Sequence, residues 1–164
     1  MIGSDLVMYE EEFRRIEAEL KKLHQQANSK VVFLVDKNGQ LIASAGDAHD
    51  LDTTSLASLT AGNIAATGGI ARLLGEKEFT ILFHEGEKDN IHIALVGGRI
   101  ILVTIFDNKS ALGIVRLRVK KSVDALTQIF DNIFQKSEKD KSTKQVSKSP
   151  FAEITEDDIE KLFG

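Results

Sequence analysis

The chain has 164 residues, of which 42% are apolar and 28% charged, a net charge of −4 and no cysteine. That suits one globular domain with appendages; it excludes disulfides and thiolate chemistry, and the acidic balance argues against general nucleic-acid binding. No apolar run is long enough to span a membrane, and MIGSDLVMYEEEF lacks the basic region and apolar stretch of an export signal, so the cytoplasm is the expected compartment.

Phe13, Ile16, Leu20 and Leu23 recur at helical spacing behind Glu10, Glu11 and Glu12, acids that suit the positive end of a helix dipole. They predict a first helix with one buried face. VVFLVD (31–36) and LIASA (41–45) flank Lys37-Asn38-Gly39-Gln40, and Asn-Gly between two apolar runs predicts a hairpin.

A second helix is expected over 53–74, TTSLASLTAGNIAATGGIARLL, with Asp52 as its N-cap and Gly75 closing it in a left-handed conformation. Arg72 is its only charge. At 100° per residue, Leu56, Leu59, Ala66, Ile70, Leu73 and Leu74 share one arc with Asn63, which reads as the face docked on a sheet. The opposite arc holds Ala57, Ser58, Ala61, Ala65, Gly68, Gly69 and Arg72. Gly62, Gly68 and Gly69 each cost a helix about 0.5–1 kcal/mol relative to Ala. A smooth, uncharged outward face that gives up helix stability is expected to meet another protein. The alternative is a helix buried on all sides within its own domain.

FTILFHE (79–85), NIHIALV and RIILVTIF (99–106), separated by Gly86–Asp89 and Gly97-Gly98, predict a three-strand meander whose last member, near-continuously apolar, is central. From about Ser110 to Phe134, Val115, Val119, Val123, Leu126, Ile129, Phe130 and Ile133 mark a long amphipathic helix. The order αββαβββα implies an α+β fold, a five-stranded antiparallel sheet with helices on both faces, over residues 1–135. The lysine-rich stretch 136–149 has no apolar period and reads as a flexible linker. Residues 150–164 regain one: Phe151, Ile154, Ile159, Leu162 and Phe163 lie opposite Glu153, Glu156, Asp157 and Glu160, an acidic amphipathic helix with Thr155 as its cap. Such a tail either binds a hydrophobic, basic groove on a partner or packs on its own domain.

Motifs for independent chemistry are missing. There is no phosphate-binding G-x-x-x-x-G-K-[ST], no G-x-S-x-G and no H-E-x-x-H. His84 and His92 on consecutive strands beside Glu85 are the one conceivable metal pair, and exposed or hydrogen-bonded histidines explain them more simply. Glu85 and Glu87 read as solvated turn residues. Asp47, Asp50 and Asp52 form only a fragment of a calcium loop. No cofactor is expected.

The element order resembles the roadblock/light-chain fold. Within it, LVMYEEEF (6–13), VVFLVDKNGQLI (31–42), DTTSLASLTAGN (52–63), FHEG (83–86), IFDNKSALGIVRLRVKK (105–121) and SPFAEITEDDIEKLF (149–163) are similar to the MglB family. The resemblance implies a homodimer, paired through strand 79–85 and adjacent second helices. The dimer would be the GTPase-activating partner of a small Ras-like GTPase of the MglA type in bacterial cell polarity and motility, with enrichment at a pole as a further expectation. It also implies no active site of the chain's own, since the activator reorders the GTPase's switch regions; Arg72 is the residue that an arginine-finger mechanism would need instead. Dimer and GTPase contacts are then expected at Ala57, Ser58, Ala61, Ala65, Gly68, Gly69 and Arg72, and a second GTPase contact at Phe151, Ile154, Ile159, Leu162 and Phe163. A non-catalytic roadblock scaffold or GTPase effector is the competing expectation, and a small-molecule sensor a weaker one.

Overall fold

The hairpin signal at Asn38-Gly39 is realised in full. Strands β1 (Val31–Asp36) and β2 (Leu41–Gly46) pair antiparallel, with a register shift at Leu34/Val35. Between them, Oδ1 of the buried Asp36 accepts the backbone N–H groups of Asn38 and Gln40 at 2.9 and 3.0 Å, and Gly39 adopts φ +89°, a conformation that disfavours any side chain. The computed structural model describes residues 9–148. Its remaining elements are α1 (Glu10–Ala27), α2 (Thr53–Leu73), β3 (Ile81–Glu85), β4 (Asp89–Val96), β5 (Ile100–Asp107) and α3 (Leu112–Lys148).

The five strands form one antiparallel sheet in the order β2-β1-β5-β4-β3. Strand β5 is central, as its near-continuous apolar run predicts, and it is buried from Ile100 to Phe106. Alternation along β1 and β5 divides their side chains between two cores. On one face Val32, Leu34, Ile100, Leu102 and Phe106 meet Ile16, Leu20 and Leu23 of α1 and Val115, Leu126, Phe130 and Ile133 of α3. On the other, Val31, Phe33, Val35, Ile101, Val103 and Ile105 meet α2. The expected α+β roadblock-like architecture, with helices on both faces, is the observed one.

Two features depart from expectation. Helix α3 does not stop at Phe134; it continues through the stretch read as a linker as far as Lys148. No Gly or Pro interrupts 136–148, and Lys, Glu and Gln favour helix without an apolar stripe. At its start this extension is anchored: Ser137 is buried, and the Lys136 ammonium donates to the Glu12 carboxylate of α1. That hydrogen bond, opposed by desolvation, holds the Glu12 carboxyl below its usual range. Glu12, grouped by sequence with the exposed acids of a helix start, is therefore a buried half of an α1–α3 ion pair.

The second feature is His92, on β4 opposite Thr104 of β5 and almost wholly buried. Among the described residues, neither ring nitrogen nor Thr104 Oγ1 finds a hydrogen-bond partner. Burial, reinforced by the nearby Arg116 charge, lowers the imidazole pKa to about 4, so the ring is neutral at pH 7.

Candidate protein-interaction surface

Both ends of α2 are chemically defined. Asp52 Oδ1 accepts the Ser55 N–H at 3.0 Å, and the Ser55 hydrogen bonds lower the Asp52 pKa. At the other end Gly75, at φ +81°, lets the Gly75 and Glu76 N–H groups close on the carbonyls of Arg72 and Ala71.

Between these caps the helix is turned over relative to the sequence expectation. Ala57, Thr60, Ala61 and Ala71 are the buried residues of α2, while Leu59, Ile70, Leu73 and Leu74 expose 72%, 52%, 88% and 68% of their surface. The small side chains of Ala57 and Ala61 face inward over the bulk that the sheet supplies through Phe33, Val35, Ile101 and Val103, with the half-buried Leu56 and Ile64 packed beside them. The approach is close enough that a Cβ on Gly39 would lie 3.2 Å from Ser58 Cα. Of the residues expected to face outward, Ala57 and Ala61 are thus core residues. Ser58, Ala65 and Arg72 are exposed, and Gly68 and Gly69 are half-buried on the flank. Leu56 faces the core as expected, and Asn63 bonds to His84 Nε2 at 2.9 Å, tying the helix to β3.

Among the described residues, Gly62, Gly68 and Gly69 have no packing role. A Cβ built on any of them meets no atom within 4 Å. Their cost to the helix is therefore not repaid by contacts among the described residues. Beside this face lies β3, an edge strand whose Ile81 is 55% exposed and whose pairing with β4 is regular over all five residues. Strand β2, the other edge, carries the register shift that twists an edge away from further pairing. Exposed leucine and isoleucine on α2 and a regularly paired edge strand make this side of the molecule the candidate association surface.

Between the C-terminal half of α2 and the sheet runs a groove of about 330 Å³. Ala65, Gly68, Ile64 and the buried Leu95 line it, and Lys37, Arg72 and Lys77 stand around it against a single acid, Glu78. Sequence reasoning identified Arg72 and missed both lysines, which come from separate loops.

His84 and His92 do not converge. They sit one residue out of register on β3 and β4, His84 on the α2 side bonded to Asn63 and His92 on the α3 side. No three potential metal-ligating side chains cluster among the described residues. Asp47 Oδ1 caps its own turn by accepting the His49 N–H, and Asp52 caps α2. No helix of the described residues is long and apolar enough to cross a membrane. The expected tail contacts at Phe151, Ile154, Ile159, Leu162 and Phe163 lie outside the described residues.

Residues 15–106, which run from α1 through β5, match the model of the Roadblock/LC7 domain. The chain belongs to the Roadblock/LC7 family, among its MglB proteins. It is 62% identical to Myxococcus xanthus MglB, covering 78% of this chain and 96% of that one, with a TM-score of 0.74. The gliding protein MglB of Thermus thermophilus is 30% identical over 80% of this chain and 99% of its own, at a TM-score of 0.75. An MglB solved in a tetrameric arrangement is 29% identical with the same coverage and a TM-score of 0.76. No curated protein sequence matches the chain. These roadblock likenesses agree with the MglB resemblance carried by the second-helix string and the 105–121 segment.

Proposed function

We propose that this protein is the GTPase-activating, regulatory partner of a small Ras-like GTPase of the MglA type, acting as a cytoplasmic homodimer in bacterial polarity and motility. The observation that carries this reading is the outward apolar face of α2 in a chain 62% identical to Myxococcus xanthus MglB. Two chains pair through β3 and adjacent α2 helices, extending the sheet and burying Ile81. The exposed Leu59, Ile70 and Leu73, with Ser58, Ala65, Gly69 and Arg72 on their flank, then supply dimer and GTPase contacts. Gly62 and Gly69 admit a partner backbone where an alanine would hold it off.

The chain supplies no reacting group. Activation follows from binding the hydrolysis-competent arrangement of the GTPase switches more tightly than other arrangements, so that the GTPase's own residues complete its site. The acidic tail makes a second contact with the GTPase and tunes its nucleotide turnover; deletion of residues 150–164 should then change affinity or turnover.

The test is GTP turnover by the MglA-type GTPase of the same organism, with and without excess of this protein. Stimulation is expected, and it should persist in Arg72→Ala, which lacks the only candidate finger on α2. A complex without stimulation would replace activation with the scaffold role, and no complex would remove the GTPase from the account.

A further inference from the structure

The face of the sheet opposite α2 is covered by α1 and α3, which run antiparallel. Lys136 meets Glu12, Ser122 Oγ donates to the Glu19 carboxylate at 3.0 Å, and Ser110 Oγ donates to the Asn28 carbonyl just past the end of α1. The C-terminal half of α1 therefore lies beside the first turns of α3. Both segments are free of acids: residues 20–35 and 108–123 hold no Asp or Glu. Lys21, Lys22, Lys109, Arg116, Lys120 and Lys121 are all exposed there. The acids at the border are engaged, Glu19 by Ser122 and Asp107 by the Lys109 backbone N–H at 2.9 Å.

The two ends of this helical layer differ in how their charge is met. At the far end Arg14 pairs with Glu10 and Lys136 with Glu12. Among the described residues, no ion pair engages any of the six cations at the near end. Ile114 and Leu117, one helical turn apart on α3, stand among them with 52% and 50% of their surface exposed, while the larger apolar residues of α1 are buried or half-buried. All but one of the six cations are lysines, flexible point charges that need no fixed partner geometry. Aliphatic side chains ringed by such cations suit a surface that is diffusely anionic outside and apolar beneath, the boundary of an anionic bilayer.

We propose that this end of the α1–α3 layer is a peripheral docking face for anionic phospholipid, with Lys21, Lys22, Lys120 and Lys121 over the headgroups and Ile114 and Leu117 at the acyl boundary. Two shallow aliphatic side chains make the contact reversible, and its ionic part weakens with salt. The net charge of −4 leaves the rest of the surface repelled, so the attraction also orients the molecule, with α2 turned away from the bilayer. On a dimer that extends the sheet with its α2 helices adjacent, both copies present the basic end on the same side. That doubling, unlike the docking itself, rests on the function proposed above.

The chain has no tryptophan, so Leu117→Trp and Leu73→Trp each carry a single reporter, one on each side of the molecule. The full chain is mixed with vesicles of phosphatidylcholine alone, or of an equal mixture of phosphatidylcholine and phosphatidylglycerol, and bound protein is measured by co-sedimentation. Binding to the anionic vesicles only is expected. On their addition the emission of Leu117→Trp should shift to the blue and that of Leu73→Trp should not. Each cation at the surface is worth about a fivefold change in partitioning, so Lys120→Glu/Lys121→Glu and Lys21→Glu/Lys22→Glu should each lower binding by more than about tenfold. Lys37→Glu/Lys77→Glu, the same change in net charge made at the α2 groove, should leave binding within about twofold. Absence of binding to anionic vesicles would overturn the proposal and leave an acidic protein as the occupant of this face. Equal binding to neutral vesicles, a shift in Leu73→Trp instead, or an equal loss in Lys37→Glu/Lys77→Glu would overturn it too. No outcome depends on a GTPase, so failure here leaves the proposed function standing.

Discussion

The layer formed by α1 and α3 meets the sheet with large side chains on both sides of the contact, Ile16, Leu20, Leu126 and Phe130 against Leu34, Leu102 and Phe106, all buried. The α2 layer meets the opposite face chiefly with the small side chains of Ala57, Thr60, Ala61 and Ala71, beside the half-buried Leu56 and Ile64, and turns Leu59, Ile70 and Leu73 to solvent. A helix that serves only the fold buries its largest residues. One that buries alanine and exposes Leu59 and Leu73 leaves apolar surface uncovered, and that difference between the two layers is the reason the proposed contact is placed on α2.

The contrast can be broken most strongly in the first layer. Leu126→Ala should destabilise the fold by about 2–5 kcal/mol in urea titration, the cost of a cavity where the neighbours collapse only partly. The same layer carries the buried His92. Its folded pKa of about 4 lies below the unfolded value of 6.5, so the unfolded chain binds the extra proton. Stability is complete above pH 6.5 and falls as the pH drops toward 4, by up to about 3 kcal/mol. His92→Leu should flatten that part of the stability profile.

On the α2 layer the close approach should make bulk costly inside and harmless outside. Ala57→Leu is expected to cost about 1–3 kcal/mol through overpacking. Gly62→Ala and Gly69→Ala should instead stabilise the isolated fold by about 0.5–1 kcal/mol each, because helix propensity improves where a Cβ meets nothing. Both would weaken association, so thermal unfolding and binding would move in opposite directions. Leu73→Ala should change stability by no more than about 0.5 kcal/mol, since it removes almost nothing that the fold buries.

Much of the fold was legible from local signals. Asn38-Gly39 marked the hairpin, Asp52 and Gly75 bounded α2, and the apolar run 99–106 identified the central strand. The orientation of α2 was not legible from its own wheel, because an apolar moment assumes that the largest residues face the core. The missing information lay in the strands. β1 and β5 present Phe33, Val35, Ile101 and Val103 there, and the fully buried positions of the helix above them are taken by Ala57 and Ala61. Lys136 and Glu12 were unreadable for a related reason: an ion pair across 124 positions has no local period. The same limit hid Lys37 and Lys77, which join Arg72 only in three dimensions.

The central claim is that the outward face of α2 and the β3 edge form an intermolecular surface. Multi-angle light scattering across concentration tests it most directly, comparing the natural sequence with Leu73→Glu and Ile81→Glu. The account predicts a mass of at least two chains for the natural sequence and a shift toward one chain in both variants, with cooperative unfolding retained. A one-chain mass for the natural sequence, or association undisturbed by both charges, would contradict it.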